Sequence, residues 1–189
     1  MGRLVLPLND MIDLWFLIPL LAKLFAYVGI LTASGAVFCR AIFGTKPAIW
    51  HSLSFALIGT FGVTLAYLFG GAMLTGELSG MFDGQMLQIL WSSNAGSSVK
   101  LALVGLAILV VGLFLGRLGL WLSCAGALLA IGSFGVSGHI ANQEDAVLRI
   151  ILFVHLVAIA FWVGILYPLA QRAKQIDNLA AAAALREGV

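Results

Sequence analysis

The sequence predicts an all-α, polytopic transmembrane helical bundle with five spans, and three observations carry that expectation. Apolar residues make up 62% of the chain and charged residues only 10%, whereas a domain folded in water carries about 25% charged residues. Five stretches reach the roughly 20 apolar residues that a helix needs to cross a bilayer. Polar, turn-forming segments separate them. The expected solvent is a lipid bilayer.

The first span is read at 12–39. It has no cleavage site of the A-x-A kind and is too long for a signal-peptide core, so it is expected to be retained. The second, at 50–75, opens on Trp50 and His51. A turn-rich segment at 76–98 leads to the third and fourth spans, at 99–116 and 118–137. These two are joined so tightly, at residues 117–119, that they must form an antiparallel hairpin. Gly112 and Gly116 have GxxxG spacing, and Gly105 lies two turns before Gly112; small residues so placed let helix backbones approach. The fifth span, at 147–169, follows a loop at 138–145. The chain then divides into a transmembrane domain, 1–172, and an alanine-rich helical tail, 173–189, that reads as a helix cut short.

Charge orients the spans. With alternating spans, Arg40, Lys46, Arg117, Arg172, Lys174 and Arg186 fall on one side, and only Arg3, Lys100 and Arg149 on the other. The positive-inside rule then predicts an N-terminus outside and a C-terminus in the cytoplasm. Asp10, Asp13, Glu77, Asp83, Glu144 and Asp145 all fall on the outer side, a surface attractive to cations. Lys100, which opens the third span, is expected to partner Asp83 or a lipid phosphate.

Several function classes are set aside. No basic tract suggests nucleic acid. Cys39 and Cys124 lie in separate apolar stretches and read as small buried hydrophobes, not as a disulfide framework or zinc site. There is no phosphate-binding glycine loop, no HExxH and no paired CxxC. Ser98 and Ser137 have no base and carboxylate pattern beside them, so no enzymatic activity is expected.

The histidines carry the chemistry. His139 lies just past the fourth span, in the loop that follows, and His155 lies about 12 Å into the fifth, at 1.5 Å per residue. Polar side chains in hydrocarbon are costly and are kept as ligands, proton carriers or hydrogen-bonded locks, and imidazole is among the commonest metal ligands. Trp162, at i+7, shares the helix face of His155. In an ideal hairpin, however, His155 lies about two turns deeper than His139. A single ion needs both nitrogens at about 2.0–2.1 Å if zinc-like distances hold, so either residues 135–139 dip inward or the two histidines serve successive positions on a path. His51, at the opposite membrane face, reads as interfacial. Met73, Met81 and Met86 cluster on the outer side, where thioethers suit Cu(I). Lys23, inside the first span, must face a polar cavity or snorkel to the interface.

These residues also carry a family likeness. The stretch SFGVSGHIANQEDAVLRIILFVHLVAIAFWVGILYPLA, with Gly138-His139, then His155, Trp162 and Gly164, resembles the signature of the copper resistance protein D family of bacterial inner-membrane proteins. The segment MLQILWSSNAGSSVKLALVGLAILVVGLFLGR is similar too, with Lys100 as the basic residue that opens a helix. The likeness covers residues 80–170. Family members usually have more spans than five, which implies a fragment or a short family form. The resemblance implies copper binding and import from the periplasm, with His139 and His155 as ligands; by their chemistry and position Met73, Met81, Met86, Lys23 and Trp162 are accessory candidates. Expected partners are the copper ion and a periplasmic copper chaperone. Binding should weaken in acid, because histidine ligates as the neutral ring. The alternative is a haem b protein for electron transfer, with two imidazoles facing each other across the ring. A third alternative is an assembly subunit whose histidines are only hydrogen-bonded.

Overall fold

A computed structural model describes residues 8–44, 49–136 and 146–187, with side chains described over 15–44, 49–136 and 147–178. Among the described residues all regular structure is helical. Helix α1 spans Leu8–Phe43, α2 Ile49–Thr75, α3 Gly84–Trp91, α4 Asn94–Phe114, α5 Gly116–Gly132 and α6 Ala146–Glu187. Short 3₁₀ turns at Leu78–Phe82 and Ser133–Gly135 follow α2 and α5. Five helical segments are long and apolar enough to cross a membrane: Trp15–Phe43, Ile49–Thr75, Asn94–Phe114, Gly116–Gly135 and Val147–Asn178. The protein is a multi-pass membrane protein.

The α1 helix is the hub. It packs against α2, α5 and α6, and α4 lies against α2 and α5. Every residue from Gly29 to Cys39 is buried, about three turns of helix covered on all sides. Small residues make this possible. In a bilayer no hydrophobic force draws apolar helices together, so close backbone packing and interhelical hydrogen bonds must do it. At the α1–α2 crossing, a methyl on Gly29 would strike the backbone of Gly59, and one on Gly62 would strike Ala26. The α4–α5 hairpin is built the same way, with Gly105 against Gly126 and Ala130, and Gly112 against Gly119 and Ser123. Ser123 adds a buried hydrogen bond from its hydroxyl to the Leu109 carbonyl, 2.9 Å.

Two local features differ from the sequence expectation. The hairpin turns at Leu115–Gly116, not at 117–119, which are already helical. Gly116 has φ +66°, a left-handed conformation that costs glycine little and other residues more. Gly116 is thus the turn itself, and the packing partner of Gly112 is Gly119. The segment 76–98 is also more ordered than a turn. The Asp83 carboxylate caps α3 by accepting from the backbone N–H of Gln85 and Met86, at 2.9 and 3.3 Å. Ser93 likewise caps α4, accepting from Gly96 N–H at 3.4 Å. Such caps satisfy N–H groups that a helix start leaves unpaired, and α4 therefore begins at Asn94 rather than 99.

The tail is continuous with the last span: α6 runs through Pro168 without a break to Glu187. Cys39 is buried and Cys124 half-buried, and neither forms a disulfide. The bundle has two ends, here named for a residue at each. Asp83, Glu77 and Lys100 lie at one; Arg40, Arg117 and Arg172 lie at the other.

Candidate functional site

Of the two expected ligands, His139 lies outside the described residues, as does Gly138. His155 is in the third turn of α6 and is exposed. The buried stripe of α6 is Leu156, Ala160 and Gly164, which lies on α1. His155 stands beside that stripe, on the outward face with Val154 and Trp162, the latter 71% exposed. Trp162 therefore shares the face of His155, as the i+7 spacing requires. The imidazole makes no hydrogen bond, ion pair or ring contact with any described residue. Both ring nitrogens are free to donate or to ligate.

The other described histidine is far from this position. His51 sits in the first turn of α2 at the Arg40 end, stacked on Tyr167 of α6 with ring centroids 4.0 Å apart and planes 14° apart. Phe55 packs edge-on against it at 4.9 Å. The Tyr167 stack clasps the start of α2 to α6, while Phe55 is one turn along α2 itself. No described pair of imidazoles faces across the bundle interior, as bis-histidine haem ligation demands. Among the described residues no three histidine, cysteine or acidic side chains group closely enough to hold a metal ion.

The three methionines fall on successive elements at the Asp83 end: Met73 near the end of α2, Met81 in the 3₁₀ turn and Met86 in α3. Met73 is 61% exposed, and the other two are half-buried. Gly71 and Gly80 bring the first two of these elements into backbone contact. Two carboxylates accompany them. Asp83 caps α3, and Glu77 accepts a hydrogen bond from the Ser79 hydroxyl at 3.1 Å. Lys100 pairs with neither: its ammonium donates to the Trp91 carbonyl at 3.1 Å and lies 5.1 Å from the Trp91 ring centroid. Those carboxylate charges thus remain unneutralised by lysine.

Lys23 is exposed and lines an open-sided cavity of about 430 Å³ at the same end of the bundle. Tyr27, Tyr67, Ser98, Ala102 and Phe134 form much of its wall. Tyr27 and Phe134 stack with centroids 4.2 Å apart and planes 4° apart, joining α1 to the turn after α5. The sequence assigns Lys23 a polar cavity or a snorkelled position, but not the residues of the wall, its two tyrosines among them. The signal available was a cation in an apolar span, which requires a polar recess somewhere nearby.

No protein-family model, curated protein or solved structure matches this chain.

Proposed function

We propose that this protein handles copper at a bacterial cytoplasmic membrane, taking the ion at the Asp83 end and importing it. The observation that carries the proposal is His155: an imidazole about 13 Å along α6 from its first residue, exposed on an apolar face, with no partner among the described residues. An unsatisfied polar ring in hydrocarbon is unfavourable, and a bound ion supplies the missing interaction. His139, outside the described residues, is the second ligand proposed. Copper here is cargo. The resemblance of the Gly-His and His-x6-Trp-x-Gly pattern to the copper resistance protein D family supports the same assignment.

The remaining features fit. Soft thioethers and neutral imidazoles are the donors that hold copper, and Met73, Met81 and Met86 lie at the end that also carries Glu77 and Asp83. Carboxylates raise local cation concentration. With the Arg40 end in the cytoplasm, as the excess of basic residues there favours, the Asp83 end faces the periplasm. A periplasmic copper chaperone is the donor consistent with that orientation. Lys23 is not a ligand in this scheme, because an ammonium has donors and no lone pair.

The test is elemental analysis and an absorption spectrum of detergent-purified protein, wild type beside His139→Ala and His155→Ala. Copper bound by the wild type and lost from both variants is the expected result. A Soret band would replace copper with haem b, and neither signal would end the proposal.

A further inference from the structure

We propose that the cavity beside Lys23 binds an amphiphilic anion, an acyl chain whose carboxylate or phosphate head pairs with the Lys23 ammonium. The inference does not depend on copper handling. It rests on what the cavity offers and withholds.

Lys23 lies about 12 Å along α1 from Trp15, the start of the apolar span, and makes no ion pair or hydrogen bond with any described residue. Intramembrane cations ordinarily pair with an anion or a carbonyl. Of the other polar groups in the wall, the Tyr27 hydroxyl makes no hydrogen bond with a described residue, and those of Tyr67, Ser98 and Ser133 are committed. The Tyr67 hydroxyl donates to the Leu87 carbonyl at 2.7 Å, and the Ser98 hydroxyl donates to the Ser133 carbonyl at 2.7 Å. Lys23 is the charged donor of the cavity, and among the described residues no lining residue is acidic.

The rest of the wall is apolar and shaped. From Ala95 to Ala102 on α4, and from Gly70 to Val63 on α2, it extends about 10 Å along the helices. Alanines and a glycine open the space, and the stacked Tyr27–Phe134 pair forms part of the wall. A volume of about 430 Å³ falls within the range of small-molecule sites, about 300–1,000 Å³. A free inorganic anion would satisfy Lys23 and leave the apolar wall uncovered. A neutral hydrocarbon would cover the wall and leave the ammonium unpaired. An acyl chain with an anionic head does both.

The experiment is a fluorescence titration of the purified full chain with cis-parinarate, a fatty carboxylate, followed by competition with oleate, methyl oleate and inorganic phosphate. Oleate should displace the probe at least about tenfold better than methyl oleate, the loss expected when a charged hydrogen-bonded pair is removed. Phosphate alone should not compete. Lys23→Met should weaken the probe by a similar factor, and Lys23→Arg should retain it. Ala66→Leu, which fills the cavity, should weaken binding, whereas Ala107→Leu on the exposed face of α4 should not. Native mass spectrometry of the protein extracted from membranes then distinguishes the two heads, a free fatty carboxylate or a phospholipid. Equal binding by wild type and folded Lys23→Met, or equal competition by oleate and its ester, overturns the proposal. So does unchanged binding in Ala66→Leu. The ester comparison uses wild type alone, so it decides even if a variant does not fold.

Discussion

Gly35 and Gly164 meet backbone to backbone where α1 and α6 cross, so that a methyl on either would collide with the main chain of the other. The crossing has no side chain that could move aside. Gly164→Leu should therefore destabilise the protein by about 1–3 kcal/mol, the usual cost of overpacking. Leu166→Ala, on the exposed face of the same helix, should stay within about 0.5 kcal/mol of wild type. Denaturation in mixed micelles, following intrinsic tryptophan fluorescence, compares the two.

His155 separates function from stability. Its side chain is exposed and contacts no partner, so His155→Ala should leave the unfolding transition within about 0.5 kcal/mol of wild type. Copper affinity should fall far more. Removing even an outer-shell partner of a ligand costs about 10–100-fold, and His155 is proposed as a ligand. Parallel unfolding and copper titrations on one preparation decide it; a variant with wild-type affinity removes His155 from the site.

The stack of His51 on Tyr167 ties the start of α2 to α6. A double-mutant cycle over His51→Ala and Tyr167→Ala should give a coupling of about 0.5–1.5 kcal/mol. Copper binding should be indifferent to both changes, since this contact lies at the Arg40 end.

Lys100 ties the second turn of α4 to the end of α3 through the carbonyl and ring of Trp91. Water at this end screens the interaction, so Lys100→Met should cost only about 1 kcal/mol. The effect should be local. Hydrogen exchange should rise at Leu90–Gly96 and remain unchanged at the α1–α2 crossing.

The membrane orientation can be read by labelling. In a background lacking Cys39 and Cys124, Glu77→Cys should react with an impermeant maleimide added outside intact cells. Arg117→Cys should react only after permeabilisation. The reverse pattern would invert the proposed topology.

The five spans were legible because each is an uninterrupted apolar stretch of membrane length, a local property of the chain. The helix of 84–91 was not, because its existence depends on the Asp83 carboxylate turning back onto Gln85 and Met86. The side shared by His155 and Trp162 could be counted from spacing. Which way it pointed could not: α6 is apolar around its circumference, and its buried stripe is marked mainly by the small residues Ala160 and Gly164. The wall beside Lys23 was equally hidden, since it is assembled from α1, α2, α4 and the turn after α5. Lys23 alone announced it. The pairing of Lys100 with Asp83 looked reasonable by charge, but Asp83 is taken up as a helix cap and the ammonium finds Trp91 instead.

The encircled stretch Gly29–Cys39 has a consequence for biogenesis. The helix that becomes the centre precedes its neighbours in the chain, so it is made before α5 and α6 emerge to cover it. During that interval Thr32 and Ser34, both buried in the finished bundle, face hydrocarbon or the translocation machinery. Ser34 gains no hydrogen-bond acceptor even at the end, so its hydroxyl does not hold the early intermediate together. Shape must do so, through Gly29 on Gly59. The arrival of α6 at Gly35 is then the step that shuts the assembly, and a nascent chain halted before Gly164 would leave its central helix open along one side, ready for quality control.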